Sequence, residues 1–208
     1  MEEQYLSVVQ PYIQGGPGQR GCDSIARLFG AVVAQMEETR DEMKDVLGDL
    51  FAGAVTYNEA GQFLTPMSLC RLMAGLTISD VSDEEAKAKK SIADPCCGSG
   101  RMLLAVAEVH RHWEFVGQDV DLRCVRMTAI NLALRNLYGY VIHGNSLANE
   151  RKLIYRTGFN LRGFIQEVPL EECPAPVREA AAREPFPCSP SPGQAADAAE
   201  EKQQLFLF

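Results

Sequence analysis

Between Ile92 and Asn145 the chain alternates short apolar runs with longer amphipathic stretches. Ile92-Ala93, Phe115–Gln118 and Tyr140–His143 are strand-length runs. Met102–Arg111 and Leu122–Leu137 carry apolar residues at helical spacing, and Met127, Ile130, Leu134 and Leu137 form the expected buried stripe of the second. Strand, helix, strand, helix, strand in this order predicts an α/β fold with parallel strands joined by crossover helices. Upstream the period is helical. Tyr5, Leu6, Val9, Tyr12 and Ile13 predict a helix over residues 1–13, broken by Gly15-Gly16-Pro17-Gly18. Ile25, Leu28, Phe29, Val32, Val33 and Met36 predict a second helix with one apolar face, capped by Asp23 or Ser24. The polar run Glu37–Glu42 is either its solvated continuation or a joint, and Met43–Val55 predicts a third helix. Pro66 opens a fourth through Met67, Leu69, Leu72, Met73 and Leu76. Val81–Lys90 is a charged connection. After Asn145 the pattern weakens: Lys152–Ile154 and Phe164–Val168 fit a hairpin around Gly158–Gly163.

The chemistry concentrates at strand ends. Ser91–Leu104 reads SIADPCCGSGRMLL: a short strand, an acid (Asp94), a turn with two glycines (Gly98, Gly100), then a helix. Glycines let backbone N–H groups approach a ligand, and a helix start adds unpaired donors and partial positive charge. Such a unit builds a nucleotide-type site at the carboxyl end of a parallel strand. The nicotinamide pattern G-x-G-x-x-G fails, because Leu103 stands where its third glycine belongs. Asp94 would repel a pyrophosphate and suits a cationic, hydrogen-donating end, such as the amino acid portion of S-adenosylmethionine. The next strand ends in Asp119, where a carboxylate can accept both ribose hydroxyls, and the third ends in Asn145, placed for an adenine edge. The competing reading makes all three ordinary strand-end turn residues.

These segments resemble the amino-methylating DNA methyltransferases, in particular the adenine-N6 modification subunits of type I restriction systems. Asp94-Pro95-Cys96-Cys97-Gly98-Ser99-Gly100 resembles the family's Asp-Pro-x-x-Gly-Ser-Gly cofactor turn. Gly117-Gln118-Asp119 is similar to its second motif, with Asp for the commoner Glu, and Gly144-Asn145-Ser146-Leu147 to its Gly-Asp-x-Leu motif, with Asn145 a departure. Gly61-Gln62-Phe63-Leu64-Thr65-Pro66 resembles the element that packs on the methionine end of the cofactor, and Asp45–Phe51 the helix before it. The resemblance covers about Asp45–Leu147. It implies a Rossmann-like methyltransferase fold, a mostly parallel sheet with helices on both faces, and S-adenosylmethionine as cofactor. It implies cofactor contacts at Phe63, Thr65, Pro66, Asp94, Pro95, Cys97, Gly98, Ser99, Gly100, Asp119 and Asn145. DNA is the implied substrate.

The same family grips a flipped-out base with an Asn/Asp-Pro-Pro-aromatic tetrapeptide. Ser146–Phe208 contains none: Tyr155–Asn160 lacks the prolines, and Glu184-Pro185-Phe186-Pro187 has the wrong polar residue. No catalytic residue is assignable, and no separate target-recognition domain is expected to follow. Three readings stay open: an unusual methylase, a subunit whose base-binding half comes from a partner, and an inactive relative that still binds the cofactor.

Composition adds bounds. The 208 residues are enough for one α/β domain with a tail. No apolar run approaches a membrane span, and no signal-peptide pattern opens the chain. Seven cysteines without C-x-x-C or His/Cys ligand spacing read as reduced thiols, hence a cytoplasmic protein with no metal. Net charge is −8, unusual for a DNA binder, yet Arg101–Gly163 holds nine bases against five acids. That excess is either a phosphate-facing patch or a set of solvated helix faces.

Cys173–Glu200 contains six Pro and eight Ala with no hydrophobic period, which reads as a disordered linker. It leads to Gln204-Leu205-Phe206-Leu207-Phe208, which resembles the Gln-Leu-x-Leu-Phe peptide that docks bacterial DNA-handling proteins on the replication sliding clamp. Gln204, Leu205, Leu207 and Phe208 would then be partner-binding residues. The alternative is a tail that folds back as an edge strand or helix on its own domain. The expected organisation is a helical lead-in over 1–60, a cofactor-binding domain over 61–170, a linker over 171–203 and the terminal peptide over 204–208.

Overall fold

A computed structural model describes residues 2–38, 42–54, 63–78, 90–158, 165–172 and 204–206. At the centre lie three parallel strands, β1 (Ser91–Asp94), β2 (Glu114–Asp119) and β3 (Gly139–His143), joined by helices α5 (Arg101–Ala107) and α6 (Leu122–Leu134). For reference, α1 is Glu2–Val9, α2 Gly21–Glu38, α3 Val46–Ala54 and α4 Met67–Ile78. Strands β4 (Leu153–Thr157) and β5 (Gln166–Val168) add antiparallel beyond β3, as the hairpin reading expects; residues 159–164 between them lie outside the described residues. The sheet order is β5-β4-β3-β2-β1-β6, where β6 is Gln204–Phe206.

Both crossovers step the same way along the sheet, so right-handed connection puts α5 and α6 on one face. There Ile92, Phe115 and Val141 meet Leu103, Leu104 and Val106 of α5 and Val125, Ala129 and Leu132 of α6, with Cys70, Ala74 and Ile78 of α4 outside α5. The alternate strand positions Ala93, Val116, Tyr140, Ile142, Ile154 and Val168 build a second cluster on the opposite face. Six consecutive residues of α5, Met102–Ala107, are buried. A helix hydrophobic all round is a core helix, and this one runs through the middle of the fold.

Several expected boundaries and faces move. The third helix starts at Val46 rather than Met43, because the Asp45 carboxylate accepts the Gly48 amide at 2.8 Å as a helix cap, and Met43 lies at φ 45° in the turn before it. The second helix starts at Gly21; Asp23 sits in its first turn and still takes the Gly18 and Arg20 amides. In α4 the core stripe is Cys70, Ala74 and Ile78, whereas Leu69, Leu72 and Leu76 face outward. In α6 the buried stripe is Val125, Ala129 and Leu132 with Thr128 and Asn131, one register away from the half-buried Met127, Ile130 and Leu134, while Leu137, beyond the helix end, is buried as expected. In α4 the small Cys70 and Ala74 let that helix approach α5 more closely than its leucines would. The N-terminal lead-in docks lightly: Val32 and Met36 of α2 join Val46, with Leu47 and Leu134 alongside, while Ile25, Leu28 and Phe29 are exposed.

The linker expected over 171–203 begins with Glu171 and Glu172 in a short 3-10 turn; residues 173–203 lie outside the described residues. Gln204–Phe206 pairs parallel with Ser91–Ala93, so this stretch takes the fold-back arrangement, as an edge strand of its own sheet. Leu207 and Phe208 lie outside the described residues. Among the described residues no helix is long and apolar enough to cross a membrane.

Candidate functional site

Parallel strands deliver their carboxyl ends to one edge of the sheet. Asp94, Asp119 and Asn145 follow from that geometry at the ends of β1 and β2 and just beyond β3. The turn after β1 is shaped by two left-handed glycines, Gly98 at φ 54° and Gly100 at φ 88°. A Cβ on Gly98 would stand 2.9 Å from Leu64 Cδ2, and one on Gly100 3.0 Å from Thr128 Cγ2. Neither position accepts a side chain without displacement.

The acids tie the turn together. Asp119 Oδ2 accepts the Gly98 amide at 2.9 Å and Oδ1 the Asp121 amide at 2.9 Å, which links the tips of β1 and β2. Asn145 Oδ1 accepts the Leu147 and Ala148 amides at 3.0 and 3.3 Å. Asp94 differs from both. It is 3% exposed, and Oδ1 takes the Cys96 amide at 3.0 Å while Oδ2 takes no hydrogen bond among the described residues. Burial pushes its carboxyl up to about 6; the Cys96 amide opposes the rise and the Asp119 charge adds to it. At neutral pH Asp94 is therefore a buried, under-coordinated carboxylate, which calls for a cationic donor.

Two adjoining hollows open on this edge. One, of about 270 Å³, is lined by Phe63, Leu64, Pro95, Cys96, Gly98, Asp119, Val120, Cys124 and Ser146. The other, of about 80 Å³, reaches Thr65, Cys70, Asp94, Cys97, Ser99, Arg101 and Met102 and shares Phe63, Leu64, Cys96 and Gly98 with the first. Phe63, 82% exposed, borders both. Of the expected cofactor residues, Phe63, Thr65, Asp94, Pro95, Cys97, Gly98, Ser99 and Asp119 come together here. Gly100 lies behind them as the cap of α5, Pro66 precedes α4 and gives its carbonyl to the Leu69 and Cys70 amides, and Asn145 stands beside the lining residue Ser146.

Three thiols, Cys70, Cys97 and Cys124, are buried fillers. Burial pushes Cys70 up to about 11 and Cys124 up to about 12, and raises Cys97 well above the ordinary thiol range. None is a thiolate at neutral pH, as a nucleophile or a metal ligand must be. Among the described residues no group of three His, Cys, Asp or Glu could hold a metal ion.

The basic excess is mostly consumed internally. Arg101, Arg123, Lys152 and Arg156 pair with carboxylates, and buried Arg135 donates to the Lys44 carbonyl at 2.5 Å. Arg123, Lys152 and Arg156 are paired and exposed, as the solvated-face reading expects, whereas Arg101 is largely buried and Arg135 buried, and these two fit neither that reading nor a phosphate-facing patch.

The family described as N-6 DNA Methylase matches residues 42–159, more than half of the chain. The protein belongs to that family. No curated protein matches. Among solved structures, the methyltransferase subunit of a type I restriction-modification system from Streptococcus thermophilus matches at 23% identity and a TM-score of 0.35, over 45% of this chain. The chain spans 20% of that subunit's length.

Sequence reasoning missed Asp45. It is 2% exposed and gathers four hydrogen bonds between α3, the glycine turn and α6. Its one local signal was the cap spacing to Gly48.

Proposed function

We propose that residues 61–170 bind S-adenosylmethionine along the carboxyl edge of β1–β3 and serve the methylation of DNA at adenine N6. The observation that carries this is Asp94: a buried carboxylate with a spare oxygen, beside a turn of two left-handed glycines, fits an α-ammonium group. The donor set suits the rest of the molecule. Asp119 would accept from the ribose hydroxyls, Asn145 would meet the adenine edge, and Phe63–Pro66 would close on the methionine end. The bound group would supply a methyl on a sulfonium, a reactive carbon that needs orientation toward an amine and no covalent protein nucleophile.

The cofactor half is tested by calorimetric titration with S-adenosylhomocysteine: the wild-type chain binds and Asp119→Ala does not. Transfer of labelled methyl to unmethylated duplex DNA, alone and with cell extract, tests turnover. Transfer only with extract identifies a partner that supplies the base-binding half. No incorporation under either condition favours the second reading, an accessory module that binds the cofactor without catalysis. The absence of an Asn/Asp-Pro-Pro-aromatic tetrapeptide from Ser146–Phe208 is the observation behind that alternative. Docking on a sliding clamp through Gln204, Leu205, Leu207 and Phe208 competes with β6, since one backbone segment cannot serve both. Loss of clamp pull-down on deletion of 205–208 would support docking.

A further inference from the structure

We propose that Asp45 is a positioning residue for the cofactor turn, acting through Ser99, Arg101 and Asn131. This deepens the cofactor reading and rests on it. The carboxylate sits 54 residues before Ser99 in sequence and is nearly sealed from solvent. Oδ2 accepts the Ser99 hydroxyl at 2.5 Å and Arg101 Nε at 2.7 Å; Oδ1 accepts the Gly48 amide at 2.8 Å and Asn131 Nδ2 at 2.8 Å. Asn131 Nδ2 also donates to the Ser99 carbonyl at 2.8 Å. Ser99 is thus held on both sides, its hydroxyl by Asp45 and its carbonyl by Asn131.

That residue stands between Gly98 and Gly100, the two points at which the turn has least stiffness of its own. The shape of the turn is therefore imposed from outside, by the Asp119 carboxylate at the Gly98 amide and by the Asp45 carboxylate, on another element, at Ser99. The first turn of α3 is built around Asp45: a Cβ at Gly48 would stand 1.7 Å from Asp45 Oδ2. Arg101 neutralises the buried charge and spans to Asp49 at 2.7 Å and to the Thr65 carbonyl at 3.2 Å, which anchors the Phe63–Pro66 wall to the same hub. Turn and wall, the two sides of the smaller hollow, share one fastening.

The test uses the full chain without ligand and then with S-adenosylhomocysteine. Hydrogen exchange is followed at the Gly98 and Gly100 amides, both hydrogen-bonded in the turn. Ser99→Ala removes one of four donors to the Asp45 carboxylate and is expected to lower the thermal midpoint modestly, with the chain still folded at the assay temperature. It is expected to speed exchange at these amides and weaken ligand binding roughly tenfold, the scale of one charge-assisted hydrogen bond. Asp45→Asn is expected to do the same more strongly, with the midpoint lowered further. Wild-type exchange at both glycines in Ser99→Ala and Asp45→Asn would overturn the proposal. So would a loss of affinity that merely follows the fraction unfolded. If Asp45→Asn does not fold, Ser99→Ala decides alone. A wild-type chain that takes up no ligand defeats the cofactor reading, while the exchange data still judge the fastening.

Discussion

Helices α5 and α2 both carry apolar residues at helical spacing, α5 on every side and α2 on one face, and they end in opposite surroundings. Every residue of α5 from Met102 to Ala107 is buried. Of the apolar face of α2 only Val32 and Met36 are buried, while Ile25, Leu28 and Phe29 stay more than half exposed. The difference is topological. A crossover helix between parallel strands must lie on the sheet. A helix ahead of the first strand carries no such obligation. Apolar spacing states which side of a helix avoids water, and connectivity states what is available to cover it.

The comparison can be strained with substitutions on each side. Leu104→Ala, at a fully buried site in α5, is expected to cost about 2–5 kcal/mol in denaturant unfolding. A small cost there would mean that α5 is not the core of the fold. Gly100→Ala comes next: a left-handed backbone at φ 88° and a Cβ 3.0 Å from Thr128 should cost about 1–3 kcal/mol and weaken S-adenosylhomocysteine binding in calorimetry.

Proton linkage at Asp94 has a definite sign. Its native carboxyl is raised to about 6 from an ordinary value of 3.8, so the native state holds the proton over that window. The stability contributed by this group is full below the unfolded value and is lost as pH rises through about 6. Ligand binding runs the other way: affinity for the ammonium-bearing ligand should grow as pH rises through about 6. Asp94→Asn should flatten that rise, and an unchanged pH profile would remove Asp94 from the cofactor contacts.

The smallest effect belongs to α2. Leu28→Ser, at 60% exposure, should stay within about 0.5 kcal/mol of wild type. A loss as large as that of Leu104→Ala would show that the face is covered in solution, and the contrast between the two helices would collapse.

Local features were legible in the sequence. The strands around Ile92, Phe115 and Tyr140, the glycine turn and the acids at the strand ends all depend on neighbours within a few residues, and the structure places them as the spacing predicts. Features set by distant partners were not. The large leucines of α4 drew attention from Cys70 and Ala74, because side-chain size signals hydrophobicity and conceals how closely two helices must approach. Asp45 looked like part of a helix, since its partner Asn131 stands 86 residues away and no local period records that bond. Arg101 and Arg156 counted as basic surface until their carboxylates appeared beside them.

The pairing of Gln204–Phe206 with Ser91–Ala93 also has a kinetic side. During synthesis β1 emerges long before the segment that completes its outer border. Throughout that interval a row of unpaired main-chain amides and carbonyls lies open on the strand that bears the glycine turn. Joining two segments so far apart in sequence is slow compared with forming neighbouring contacts, so this border is the last part of the sheet to close and the part most open to capture by a foreign strand.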